Sequence, residues 1–473
     1  MHLRLSYHKS TIQIGGMMLL LFTVLTIMNA GLQEIQGIRE AVVLSLVLAL
    51  IYAGTMGFVV GHMRLNEKQI LLTGFVLGIS VLARAAMLDF RSADYDSFLV
   101  HWVQYYREKG PAALAENVGD YNLLYQYALL VISQIPLHDL YLIKLLTVCF
   151  DYALTLAMTE AAGSMAGEKM RLPILLIVPL LPTVLLNGSC WGQCDPVYAF
   201  AVILSLHWLW TERPIRSAAV LALAFAFKLQ TIFVFPVVLF ALLWGKYKPK
   251  HALAFFAAYL LTLLPALLMG RSLSDALSVY VSQSMGQYYH RLTYNAPNLY
   301  LFFPMLEFAS SQEYTWMRFI RGIESNGVNS FLTEDLFPTL QRATLLACIL
   351  LVLAFVVYWL RRRREIPWET MPEFALFFAI FLPFVMPKIH DRYFFLADML
   401  SLIVAARNPL RRFLPVLVIG ASLGSYMTFL TRQRPMDERV LALMMFVALI
   451  LTGYDLLKKM RINRLAALKG DDG

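Results

Sequence analysis

The sequence predicts an all-α, polytopic membrane protein: a bundle of about 14 transmembrane helices with interfacial helices in a long first outer loop. Three observations carry this expectation. Of the 473 residues, 59% are hydrophobic and 15% are charged, whereas a soluble chain is roughly half apolar and about a quarter charged. The mean hydropathy is +0.62. The apolar residues also fall in long runs, which at about 20 residues per span fill roughly fourteen helices. Such runs exclude a disordered chain. Cys149, Cys190, Cys194 and Cys348 are too few for a disulfide framework and lack zinc-site spacing.

The elements follow in order. Arg4 and Lys9 precede an apolar run from Ile12 to Ala30 with no small-x-small cleavage site, which reads as an uncleaved signal anchor. Apolar runs bounded by charge, proline or glycine place spans near 13–32, 41–61, 70–88, 139–162, 172–188, 195–211 and 216–228. Further spans are expected near 229–244, 251–269, 342–360, 371–387, 391–406, 412–430 and 438–457. Asn122 to Pro136 is apolar but only about 15 residues long, in the range of re-entrant or interfacial helices.

Charge decides the orientation. If 122–136 does not span, one side collects Arg4, Lys9, Arg64, Lys68, Lys169, Arg171, Arg213, Arg216 and Lys246/Lys248/Lys250. Arg361–Arg364, Arg407/Arg411/Arg412 and the tail cations Lys458, Lys459, Arg461, Arg464 and Lys469 fall there too. Together they are 23 of the 40 Lys and Arg, all in short segments. The positive-inside rule makes that side cytoplasmic, with both termini on it. The net charge of +9 therefore orients the chain and is no sign of a nucleic-acid partner. The outer side receives loop 89–138, the turn Ser189–Cys194, the break at Lys228, loop 270–341 and the turn Pro387–Arg392.

Polar groups gather at these outer positions. Asp94 and Asp96 can serve as a general base and its partner or as metal ligands; either also suits a helix cap. Asn187-Gly-Ser-Cys190-Trp191-Gly-Gln193-Cys194-Asp195-Pro-Val-Tyr198 is a polar turn, or a structural corner with an interfacial Trp. Lys228 sits at a break between two apolar half-helices, next to Gln230. A lysine in hydrocarbon costs at least ~2.5 kcal/mol, so it either snorkels outward or meets an anion such as a lipid phosphate. Lys388, His390, Asp391 and Arg392 crowd one turn, against the outer-side charge bias, and suit an anion. Tyr288-Tyr289-His290-Arg291 and Tyr294-Asn295-Ala-Pro-Asn298-Leu-Tyr300 suit a sugar, a headgroup or an aromatic belt. Lys144 and Asp151, two turns apart, share a helix face and read as a buried pair or network.

Taken in this order, the motifs resemble the GT-C superfamily of integral membrane glycosyltransferases. Asp94-Tyr-Asp-Ser-Phe-Leu-Val-His101-Trp102 is similar to the first-loop signature of the N-glycan pathway glucosyltransferases. Gly119-Asp120-Tyr121-Asn-Leu-Leu-Tyr125 resembles a later segment of that loop, without its two prolines. Trp191-Gly-Gln-x-Asp195-x-x-Tyr198 and Phe227-Lys228-x-Gln230 are similar to motifs of bacterial lipid-linked mannosyl- and glucosyltransferases. Asn295-Ala-Pro-Asn298-Leu-Tyr300 has Tyr where their motif has Trp, and Ile389-His390-Asp391-Arg392-Tyr393 has Asp in place of Glu. The resemblance covers roughly residues 70–410.

The resemblance implies inverting transfer of a mannose- or glucose-class hexose from a polyprenyl-phosphate carrier to a lipid-linked or cell-surface glycan on the extracytoplasmic face. Asp94 is the expected base and Asp96 its alternate. Lys228, Lys388, His390 and Arg392 are expected to hold the donor phosphate. His101, Trp102, Asp120, Tyr121, Trp191, Gln193, Asp195, Gln230, Arg291, Asn295 and Asn298 are expected to shape the donor and acceptor pocket. No cofactor is required, although Asp94-x-Asp96 leaves a divalent ion (Mg or Mn) open. The expected plan is one module: two extra spans over 1–69, a catalytic core over 70–410, and two spans with a tail over 411–473. A bacterial plasma membrane is the expected location. The rival expectation is a lipid-linked oligosaccharide flippase or an outer-face polysaccharide polymerase or ligase. A flippase would spread ionisable residues midway along its helices, whereas here they gather at one face.

Overall fold

The computed structural model describes residues 2–285, 292–303 and 336–470, with side chains over 13–283, 292–303 and 339–463. Among these residues there are eighteen α-helices and a single pair of two-residue strands. The fold is all-α and polytopic, as the composition predicts. Arg291 lies outside the described residues, as do Tyr288, Tyr289 and His290.

The chain forms two compact units. The first comprises residues up to His207, with Ala226–Lys228 and Ala258–Val279. It opens with α1 (His2–Asn29), α2 (Ile38–His62) and α3 (Glu67–Ala85), which pack on one another. Asn66 starts α3 through a reciprocal capping box with Gln69. In the loop that follows lie α4 (Val100–Lys109) and α5 (Leu123–Ser133). At 11 residues, α5 is too short to cross about 30 Å of hydrocarbon, since a helix rises about 1.5 Å per residue. The centre is α6 (Asp139–Ala166), whose apolar window is 72% buried against 44% for α2. Next come α7 (Arg171–Ile177), α8 (Pro182–Leu185) and α9 (Asp195–Trp210).

The second unit comprises Trp208–Phe225, Leu229–Ala257 and residues from Tyr280 onward. It holds most of α10 (Pro214–Phe227), all of α11 (Phe235–Leu243) and the first half of α12 (Pro249–Leu268). The remainder of α12 and the start of α13 (Leu273–Met285) pack in the first unit, around Leu123, Leu263, Ala266 and Ala276. The second unit continues with α14 (Leu336–Arg361), α15 (Met371–Val385), α16 (Phe395–Arg407), α17 (Leu414–Thr431) and α18 (Glu438–Gly470). Its buried centre is α15, whose apolar window is 89% buried, whereas that of α14 is 11% buried. Glu373 on α15 ties Arg407 and Lys459 to it at 3.2 and 2.7 Å. The strands β1 (Thr293–Tyr294) and β2 (Ile389–His390) pair in parallel.

The count of fourteen spans is not confirmed. Eight helices among the described residues are long and apolar enough to cross a membrane, and a bent pair brings a ninth. That pair, Glu168–Leu180 and Pro182–Trp191, bends by 47° at the proline break. Other apolar stretches are helical but short: α10 has 14 residues and α16 has 13. Apolar run length overstates helix length where a proline or a tight turn interrupts the run.

Candidate active site

The acidic loop is fixed before Asp94 is reached. The Lys144 ammonium, buried on α6, donates to the carbonyls of Met87, Leu88 and Phe90 at 3.0, 2.8 and 2.6 Å. Asp89 accepts from the Tyr141 hydroxyl at 2.7 Å. Ser92 Oγ donates to the Trp191 carbonyl at 2.7 Å and accepts from the Tyr95 amide. Lys144 and Asp151 therefore do not pair with each other. Asp151 takes Arg84 at 2.9 Å, with both side chains fully buried.

Asp94 does not cap the helix it opens. Its Oδ2 accepts from Trp191 Nε1 at 2.8 Å and from Gln193 Nε2 at 2.6 Å. Asp96, two residues on, is exposed and pairs with Arg91 at 2.9 Å. That hydrogen bond lifts the Arg91 pKa above its ordinary value. Tyr95–Leu99 is a π-helical turn, and so is Leu186–Trp191 on the other side of the contact. Such turns are rare and concentrate at functional sites. The second ends at Gly192, whose φ of 78° is left-handed, so glycine suits the position.

The contacts continue from Gln193. Its Oε1 accepts from the Tyr121 hydroxyl at 2.9 Å, so one amide joins a phenol to the Asp94 carboxylate. The Tyr121 ring lies 5.9 Å from Lys228 Nζ, and the Tyr198 ring lies 5.7 Å from it. Lys228 pairs with Asp195 at 2.5 Å, and the two side chains are 5% and 0% exposed. Asn187 Nδ2 donates to the second Asp195 oxygen at 2.9 Å. Trp102 meets Tyr121 edge-on at 5.8 Å, and Tyr125 lies 4.6 Å from it on another side. The anion that compensates the buried lysine is thus internal, an Asp at the start of α9.

The first unit therefore gathers Asp94, Trp102, Tyr121, Trp191, Gln193, Asp195 and Lys228 into one network. His101 and Asp120 are exposed. Asn187 and Lys144 were not among the expected site residues. The partner of Asn187 lies eight residues on, within the same turn, whereas the carbonyls on Lys144 are more than fifty residues away, beyond any local motif.

The second unit carries the other group. Tyr294 stacks on the His390 ring at 4.6 Å, and Tyr393 lies 5.3 Å from that ring. Asn295 bridges to His390 across the strand pair. Asn295 and Lys388 both adopt left-handed backbone, with φ of 54° and 63°. Lys388 donates its amide to the Leu292 carbonyl at 2.8 Å. Burial pushes the Lys388 ammonium below the ordinary lysine range. Asp391 accepts from the Arg392 amide at 2.9 Å, and the Arg392 guanidinium stands 4.0 Å from the same carboxylate. Asn298 is fully buried and accepts from the Tyr300 amide at 3.2 Å, which starts a short turn. Gln230 is buried in the turn Leu229–Val234.

Among the described residues no group of three or more His, Cys, Asp or Glu gathers as for a metal ion. Asp94 and Asp96 face different partners.

The model of glycosyltransferase family 87 matches residues 127–387, more than half of the chain. The chain belongs to this family. Family 87 is a membrane family of the GT-C type, so the resemblance read from the motifs holds, and the protein is a multi-pass membrane glycosyltransferase with a sugar donor and an acceptor. No curated protein matches the chain. The family 87 match takes in Trp191, Gln193, Asp195, Lys228, Gln230, Asn295 and Asn298. Asp94 lies before it, and Lys388, His390 and Arg392 lie after it.

Proposed function

We propose that this family 87 enzyme moves a hexose of the mannose or glucose class from a polyprenyl-phosphate carrier to a lipid-linked or cell-surface glycan, on the extracytoplasmic face of a bacterial plasma membrane. The observation that carries the reading is Asp94, a carboxylate oriented by two neutral donors in a network that also contains the Asp195–Lys228 pair. An indole and an amide orient the carboxylate by hydrogen bonds. Asp94 then takes the proton of an acceptor hydroxyl as its oxygen attacks the anomeric carbon. The bond from that carbon to the phosphate oxygen breaks, the configuration inverts, and the electron pair leaves on the polyprenyl phosphate. Asp96, exposed and paired with Arg91, is the alternate base.

The growing charge on the leaving phosphate calls for fixed cations. Lys228, Lys388, His390 and Arg392 are assigned that role, with the Arg392 fork suited to two phosphate oxygens. Trp102 and Tyr121 supply aromatic faces for a sugar. No step calls on a divalent ion or another cofactor.

The test is Asp94→Asn, assayed with a panel of labelled polyprenyl-phosphate sugars. The amide keeps the side chain's size and cannot take the proton. Transfer should fall by at least ~100-fold, the scale of general-base catalysis, while expression and donor binding persist. Wild-type turnover in the variant would remove Asp94 from the mechanism. Transfer only from a pyrophosphate-linked oligosaccharide would favour a polymerase or ligase instead.

A further inference from the structure

The second unit contains a cavity of about 420 Å³ that plays no part in the proposed transfer. Lys246, Lys248, Lys250 and His251 line its polar side, and Leu209 and Trp244 line its apolar side. Glu212 also lines it and is taken by Lys246 at 2.7 Å. Lys248 and Lys250 are exposed and make no ion pair among the described residues. The cavity therefore keeps an excess of positive charge.

His251 adds a directional donor. Its Nδ1 accepts from the Lys248 amide at 3.1 Å, which leaves the proton of the neutral ring on Nε2. The ring is largely buried and belongs to the first turn of α12. The positive end of that 20-residue helix adds to the field of the lysines.

The surroundings say what kind of anion fits. Leu253 and Phe256 follow on α12, one turn apart on the same face, and are 71% and 59% exposed. Ile215 on α10 is 60% exposed. A free phosphate has no use for such an apolar surface, whereas an amphiphile uses both parts. Basic pockets beside spanning helices suit anionic headgroups for this reason.

We infer that the Lys246–His251 cavity binds the phosphate headgroup of an anionic phospholipid, whose acyl chains run over Leu253 and Phe256. The site is separate from the donor phosphate of the transfer reaction and does not depend on the assignment of that donor.

The test uses the full-length protein in nanodiscs, with retained lipid counted by native mass spectrometry. The wild type should retain phosphatidylglycerol over phosphatidylcholine. Lys248→Gln with Lys250→Gln should weaken phosphatidylglycerol binding by about fivefold per lysine and leave phosphatidylcholine unaffected. Both lysines are exposed, so the fold tolerates the change. Lys68→Gln, a lysine at the start of α3, should bind as the wild type does. Three results would overturn the inference. One is full retention of phosphatidylglycerol by the double variant. Another is an equal loss on Lys68→Gln, which would mark general surface charge. The third is complete displacement by inorganic phosphate at matched concentration, which would mark a site for the free anion.

Discussion

Lys228 meets two demands at one atom, and its substitution separates them. Its ammonium sits against a fully buried Asp195, and removing one partner of such a pair costs about 3–5 kcal/mol because the other charge is stranded. Lys228→Met should therefore lower the melting temperature, and adding Asp195→Asn should restore much of it. If Lys228 also serves the leaving phosphate, the stable double variant will still transfer poorly. Recovery of both stability and turnover would make the pair purely structural. Lys388 offers a pH readout. Burial lowers its pKa, so its cation is lost on raising the pH before an ordinary lysine, at about 10.4, would lose its own. Between those two values the unfolded chain binds more protons, so this residue makes folding more favourable as the pH rises. Its charge for phosphate runs the other way, present at low pH and lost on the alkaline side. Lys388→Arg keeps a guanidinium charged throughout and should move the alkaline limb of the rate upward. An unmoved limb would exclude Lys388 from phosphate binding.

At the scale of the element, breaks in the helices position the chemistry. Asp94 and Trp191 each adjoin a π-helical turn, and Lys228 stands where α10 stops. The break at Lys228 was legible because a charged residue interrupts an apolar run. The π-helical turns were not, since no periodicity in Tyr95–Leu99 or Leu186–Trp191 announces an extra residue per turn. Composition and run length gave the all-α membrane fold and the short α5. The count of fourteen spans is not confirmed, because the runs near 195–211, 216–228 and 391–406 form helices of only 16, 14 and 13 residues. Of the site, local motifs named Asp94, Trp191, Gln193, Asp195 and Lys228. The partner of Lys228 and the three carbonyls on Lys144 depend on chain segments meeting in space. One loop element invites a direct test. Gly119 has φ of +71°, and a Cβ there would come 2.6 Å from Trp102 Cζ2. An indole beside a tight backbone has little room to retreat, so Gly119→Ala should cost about 2–4 kcal/mol from backbone strain and overpacking together. It should also disturb the Trp102–Tyr121 contact. An unchanged melting curve would mean that this loop shifts freely and does not set the aromatic wall.

For the whole molecule, the charge distribution makes a prediction that no single site makes. The +9 excess lies largely in short segments that the positive-inside rule assigns to the cytoplasm. That orientation would put the Asp94 loop outside, where a flipped donor would be met, and the Lys246–Lys250 segment inside. Single cysteines report it directly. Of the four native cysteines, Cys149 is the exposed one, so it is replaced by alanine first. Ser97→Cys then probes the acidic loop and Lys248→Cys the basic segment, both at exposed positions. In intact cells a membrane-impermeant maleimide should label Ser97→Cys and spare Lys248→Cys until the membrane is opened. The reverse pattern would place the Asp94 network on the cytoplasmic face, where soluble nucleotide sugars are the available donors, and would sink the polyprenyl-phosphate reading along with the orientation. Labelling of both or neither would break the charge argument itself, because the two segments would then share a side despite opposite expectations from the same rule.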